Sequence, residues 1–139
     1  MSGGGQSQRT HLEVDGRLCG RPVEIAEGRA VVRWKAPVET AADASGLVHG
    51  SFPFGVADYA AMLAVNEPNV VLAEATIRFL RPVAVGEELL AEAVVERTDG
   101  KKHRVRVVVR RGGEPVLEAE LLCIVPGRHV FETARSPDD

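Results

Sequence analysis

The stretch that decides the fold runs Ser51-Phe52-Pro53-Phe54-Gly55-Val56-Ala57-Asp58-Tyr59-Ala60-Ala61-Met62-Leu63-Ala64-Val65. It is small or apolar almost throughout, and Asp58 is the one ionised residue between His49 and Asn66. Ser51 reads as an N-cap, Pro53 suits the first turn, and Asn66-Glu67-Pro68 marks the end. A helix that is apolar on nearly every side must be buried all round, so something large has to wrap it.

The rest of the chain supplies the wrapper. Residues 70–81, 88–98, 103–110 and 116–125 read as strands. In the third, Val105, Val107 and Val109 alternate with Arg104, Arg106 and Arg110; in the fourth, Leu117, Ala119, Leu121 and Cys123 alternate with Glu118 and Glu120. Period-two alternation means one buried face and one wet face. Asp99-Gly100 and Gly112-Gly113 are hairpin turns, so these strands run antiparallel. Val23–Ile25 and Ala30–Lys35 read as a further hairpin, residues 12–18 as a short strand, and 38–43 as one helical turn. The expected fold class is α+β, a strongly curved antiparallel sheet around one central helix.

Composition narrows the function classes. The chain has 139 residues, 45% hydrophobic and 27% charged, which is one ordinary globular domain. We expect tails at 1–10 and 134–139 around a single domain at 11–133. Seventeen Lys+Arg against 20 Asp+Glu give a net charge of -3, which argues against affinity built on nucleic-acid phosphates. The polar N-terminus has no signal-peptide core, and no apolar run is long enough to span a bilayer. The expectation is a cytoplasmic protein with no membrane and no nucleic-acid partner. Two cysteines make no disulfide scaffold, and His11, His49, His103 and His129 are too scattered for a zinc pattern, so no metal is expected.

Asp58 leaves two readings open. A carboxylate on a buried helix is costly unless it is bonded or faces a cleft. It is either a satisfied structural group or a functional one. The helix start at residues 50–53 offers free N–H groups, and Gly50 admits a ligand close to the backbone. Such an end could hold a developing oxyanion. Eight residues along a helix is about 12 Å, too far for Gly50 and Asp58 of one chain to reach one reacting centre. If Asp58 is catalytic, the geometry implies a composite site across a two-fold dimer, with Gly50 from one subunit and Asp58 from the other.

The segments Gly46-Leu47-Val48-His49-Gly50, Asp58, Ala75-Thr76-Ile77-Arg78-Phe79-Leu80-Arg81-Pro82-Val83 and Gly86 resemble the hotdog-fold thioesterases of the phenylacetate-degradation type, over about residues 20–126. The resemblance implies a hotdog fold, an obligate homodimer or a tetramer, and acyl-CoA as substrate with no separate cofactor. It puts the carbonyl-polarising amide at Gly50, and the group that activates water or attacks directly at Asp58. His49 either shapes the oxyanion site or fixes the loop. The family's second glycine is Ser51 here, followed by Phe52 and Pro53, with Phe52 and Phe54 placed to line an acyl pocket. Asn66 is a helix-end residue or a substrate contact, and Thr76 a possible partner of water or Asp58. Arg78, Arg81, Lys101 and Lys102 are surface cations or contacts to the coenzyme A phosphates.

Three functions follow: an acyl-CoA thioesterase, a non-catalytic acyl-CoA binding or sensing protein to which the Ser51 departure points, and a structural dimer or binder of another apolar ligand.

Overall fold

The computed structural model describes residues 5–134; the expected tail segments at 1–4 and 135–139 lie outside the described residues. The long helix α2 spans Ser51–Val65 and is wrapped by six strands: β1 (Arg21–Ala26), β2 (Arg29–Lys35), β3 (Val71–Phe79), β4 (Glu88–Asp99), β5 (Lys102–Arg111) and β6 (Glu114–Ile124). The order across the sheet is β1-β2-β4-β5-β6-β3, with every neighbouring pair antiparallel. This is the hotdog arrangement. Strands β1 and β3 are its two edges.

The alternation read from the sequence is what closes the core. Ala30, Val32 and Trp34 of β2, Leu89, Ala91 and Ala93 of β4, Val105, Val107 and Val109 of β5, and Leu117, Ala119, Leu121 and Cys123 of β6 all face α2 and are buried. On the helix, Val56, Ala57 and Tyr59 through Ala64 are buried in turn. The small side chains of Ala57, Ala60, Ala61 and Ala64 let the sheet curve closely round the helix.

Three local readings need correction. Residues 12–18 do not form a strand: Gly16–Cys19 is a helical turn, α1, because the Asp15 carboxylate accepts the Arg17 N–H and caps it, while Trp34 Nε1 donates to Arg17 O at 2.9 Å. Ser51 is not the N-cap of α2. That position is Gly50, and the Ser51 hydroxyl is held by His49 Nδ1 at 2.7 Å. The segment from Gln6 to Thr10, read as part of a tail, is tied down, because Asn66 offers both ends of its amide to it.

The helix does end at Asn66, which takes up the left-handed conformation (φ 52) that asparagine tolerates and its N–H closes on Met62 O. The expected turn after Pro37 is a short 3-10 helix, Val38–Thr40. Among the described residues no helix is long and apolar enough to cross a membrane.

Candidate functional site

The loop before α2 is pinned from two sides. His49 N–H donates to Thr40 O at 2.9 Å and Val48 N–H to Val83 O at 2.8 Å. Gly46, at φ 86, makes the turn that lets Val85 N–H reach its carbonyl. His49 itself is exposed, and its Nδ1 accepts the Ser51 N–H at 3.1 Å while it meets the Ser51 hydroxyl. The imidazole therefore occupies a free donor at the helix start that a capping side chain would normally take.

Gly50 stands at the mouth of a cavity of about 300 Å³ walled by Val48, Pro53, Val83, Val116 and Leu117, with Arg81 at its rim. The Phe79 ring lies beside Gly50 in the lining: a Cβ on Gly50 would lie 3.2 Å from Phe79 Cε1. Among the described residues no hydrogen bond takes up the Gly50 N–H. An apolar hollow with a free amide and a positive helix end at its edge suits a polarised carbonyl on an apolar chain.

Asp58 faces elsewhere. It lines a second cavity, of about 380 Å³, with Thr10, His11, Met62, Val71, Leu72 and His129 among its walls. Its Oδ1 is buried without a hydrogen-bond partner among the described residues. Burial raises its pKa from 3.8 to about 6. The same carboxylate, after burial itself, helps raise the Cys19 thiol and push the Cys123 thiol up to about 12, and both cysteines are free thiols. Burial also lowers the His11 pKa, and His11 Nδ1 is held by the Thr10 hydroxyl at 2.8 Å on a left-handed backbone (φ 54).

The remaining residues singled out from the sequence are spread over the fold. Arg81 joins Gly50 at the first cavity and pairs with Glu114 at 3.0 Å. Phe52 and Phe54 are half-buried against the core and line neither cavity. Asn66 is 3% exposed and is taken up by the N-terminal segment: Arg9 N–H donates to its Oδ1 at 2.8 Å, and its Nδ2 donates to Ser7 O at 2.9 Å. Thr76 and Arg78 are exposed on the edge strand β3, Arg78 in register with Glu118. Lys101 and Lys102 stand exposed at the β4–β5 hairpin, where Lys102 pairs with Ile124, whose β3 neighbour is Val71. They thus sit at the Asp58 end of the sheet, opposite the end that carries Gly50 and Phe79.

Sequence reading missed Phe79 as the neighbour of Gly50, and Thr10, His11 and His129 as neighbours of Asp58. Phe79 was legible as an outlier, a large aromatic beside Arg78 on an edge strand. The other three come from opposite ends of the chain and carry no local signal.

Residues 45–118 match the family model described as the thioesterase superfamily. The chain belongs to the thioesterase superfamily. Its superfamily fold is shared with the uncharacterized protein PH1136 from Pyrococcus horikoshii, at 49% identity and a TM-score of 0.90, over 91% of this chain and 98% of that one. It is 49% identical over 116 residues to the methylthioribose-1-phosphate isomerase of Aquifex aeolicus, matching 84% of this chain and 25% of that protein. It is 31% identical over 96 residues to the transcription factor FapR of Shouchella clausii, matching 69% of this chain and 50% of that protein. This superfamily member thus spans about a quarter to a half of the length of those two relatives.

Proposed function

We propose that this chain is a homodimeric acyl-CoA binding protein whose ligand carbonyl sits on the Gly50 amide. The observation that carries the reading is the open apolar cavity at the α2 start with that amide free at its edge. Membership of the thioesterase superfamily supports a thioester ligand, and we take the thiol to be coenzyme A. The acyl chain enters between Val48, Pro53 and Leu117, and Arg81 is placed for a phosphate or carboxylate at the rim.

The dimer is supported by the edge position of β3. Its outward side leaves Phe79 58% exposed and continues into Leu80. A nine-residue edge strand with unpaired backbone groups invites a partner strand. Val71 lines the Asp58 cavity and Phe79 the Gly50 cavity, so the two cavities lie at opposite ends of β3, about 26 Å apart along the strand. Two copies paired antiparallel through β3 bring the Gly50 end of one to the Asp58 end of the other. Lys101 and Lys102 of the partner then flank the groove as phosphate contacts.

Hydrolysis is the second reading, and one observation favours it: a carboxylate at about 6, with one oxygen lacking a donor, lining a cavity. In this reading water attacks the thioester carbonyl carbon. Asp58 takes the water proton, the C–S bond breaks, and that proton passes to the departing thiolate. The Gly50 amide holds the oxyanion. The phenylacetate-type substrate belongs to this reading.

Calorimetric titration with acetyl-, phenylacetyl- and octanoyl-CoA, alongside a free-thiol assay and sedimentation, tests both. Saturable binding to a dimer supports the main reading; thiol release supports the second. A monomer that binds none of the three overturns both.

A further inference from the structure

A cavity of about 440 Å³ lies at the far edge of the sheet, where α1 runs into β1, and its charged lining is Arg17, Arg21, Arg33, Lys35 and Glu88. Neither Gly50 nor Asp58 touches it. Arg17 is already engaged as a bidentate pair with Glu39. Among the described residues Arg21, Arg33 and Lys35 form no ion pair. Three free cations against one carboxylate leave two positive charges in excess, on a chain whose net charge is -3.

The register makes this charge hard to explain as ordinary surface. Arg21 and Arg33 are direct cross-strand partners, an arrangement in which like charges oppose folding. Lys35 lies two residues further along β2 on the same face, about 7 Å away. The Arg21 side chain lies over Gly16, where a Cβ would come 2.5 Å from Nη1 and 2.9 Å from Cζ. A bulge between Pro22 and Glu24 turns Val23 out, 53% exposed, as an apolar wall beside the cations.

We propose that Arg21, Arg33 and Lys35 form a binding site for the diphosphate group of a phosphorylated small molecule. Two arginines in direct cross-strand register, with a lysine two residues along the strand, match adjacent phosphates, which engage both guanidiniums and remove their mutual repulsion. Val23 and Pro22 give the rest of the ligand an apolar surface. The site does not rest on the thioester reading.

The test is calorimetric titration of inorganic pyrophosphate into the full chain at fixed ionic strength, with sulfate as the comparison anion. Saturable pyrophosphate binding, weakened about tenfold in Arg33→Gln or Lys35→Gln by loss of one charge-assisted contact, is the expected result. Arg33→Gln also raises the ligand-free Tm, because it removes the like-charge pair. ADP and coenzyme A are then run as competitors: displacement by ADP alone assigns the site to terminal diphosphates, and displacement by both extends it to a diphosphate bridging two groups. Pyrophosphate that binds no tighter than sulfate, or equally well to Arg21→Gln, Arg33→Gln and wild type, overturns the site and leaves these cations as protection of the β1 edge.

Discussion

Gly50 and Asp58 belong to one helix, yet they open into two cavities that have no lining residue in common. A single copy therefore holds the two groups apart: the carboxylate, with one oxygen unpartnered among the described residues, in one cavity, and the Gly50 amide at the edge of the other.

Asp58 costs the fold stability at neutral pH. Its native pKa, about 6, lies above the value of an unfolded aspartate, so the native state binds the proton more tightly. Stability from this group is present at low pH and is lost as pH rises through about 6. Asp58→Asn is then more stable than wild type by about 2 kcal/mol at pH 8, allowing for partial exposure, and equal to it near pH 4. Urea denaturation at the two pH values measures this.

The hydrolase reading fixes a pH profile. Rate over the thioester rises as Asp58 ionises, is half-maximal near pH 6 and is flat above it. Asp58→Asn abolishes thiol release while acyl-CoA binding persists. An Asp58→Asn protein that turns over at the wild-type rate removes Asp58 from the chemistry.

At Gly50 the backbone (φ -57) accepts alanine, but the added Cβ meets the Phe79 ring at 3.2 to 3.7 Å. The fold tolerates this because Phe79 is exposed and can move. The ligand does not, since the ring shifts over the cavity mouth. Gly50→Ala is expected to weaken acyl-CoA binding about tenfold with little change in Tm. Calorimetry with thermal melts separates the two effects.

Asn66 clamps the N-terminal segment through Arg9 and Ser7 while ending the helix in a left-handed turn. Asn66→Ala loses those bonds and strains the turn, at a cost of about 2–3 kcal/mol. Asn66→Gly keeps the turn and loses only the bonds. Both release Arg9 for tryptic cleavage, and the order of stability is wild type, glycine, alanine.

The strands were legible because their alternation is long and clean: Val105-Val107-Val109 against its arginines leaves one face for the core. The long helix was legible as a run of small and apolar residues on every side, closed by Asn66-Glu67-Pro68. The α1 turn was not, since it rests on one aspartate cap and a tryptophan that reaches it from β2. Asp58 was legible as a lone charge in an apolar helix. Its surroundings were not, because Thr10, His11 and His129 reach it only through tertiary packing. The anchoring of Gln6–Thr10 was hidden too, as a polar run looks the same whether or not a buried amide holds it.

Thr10, His11 and His129 place the early and the late parts of the described chain against one hollow. A bulky label attached at Thr10, His11 or His129 therefore stands beside the carboxylate and crowds the approach of any ligand. Unlabelled protein is the proper reference for every titration.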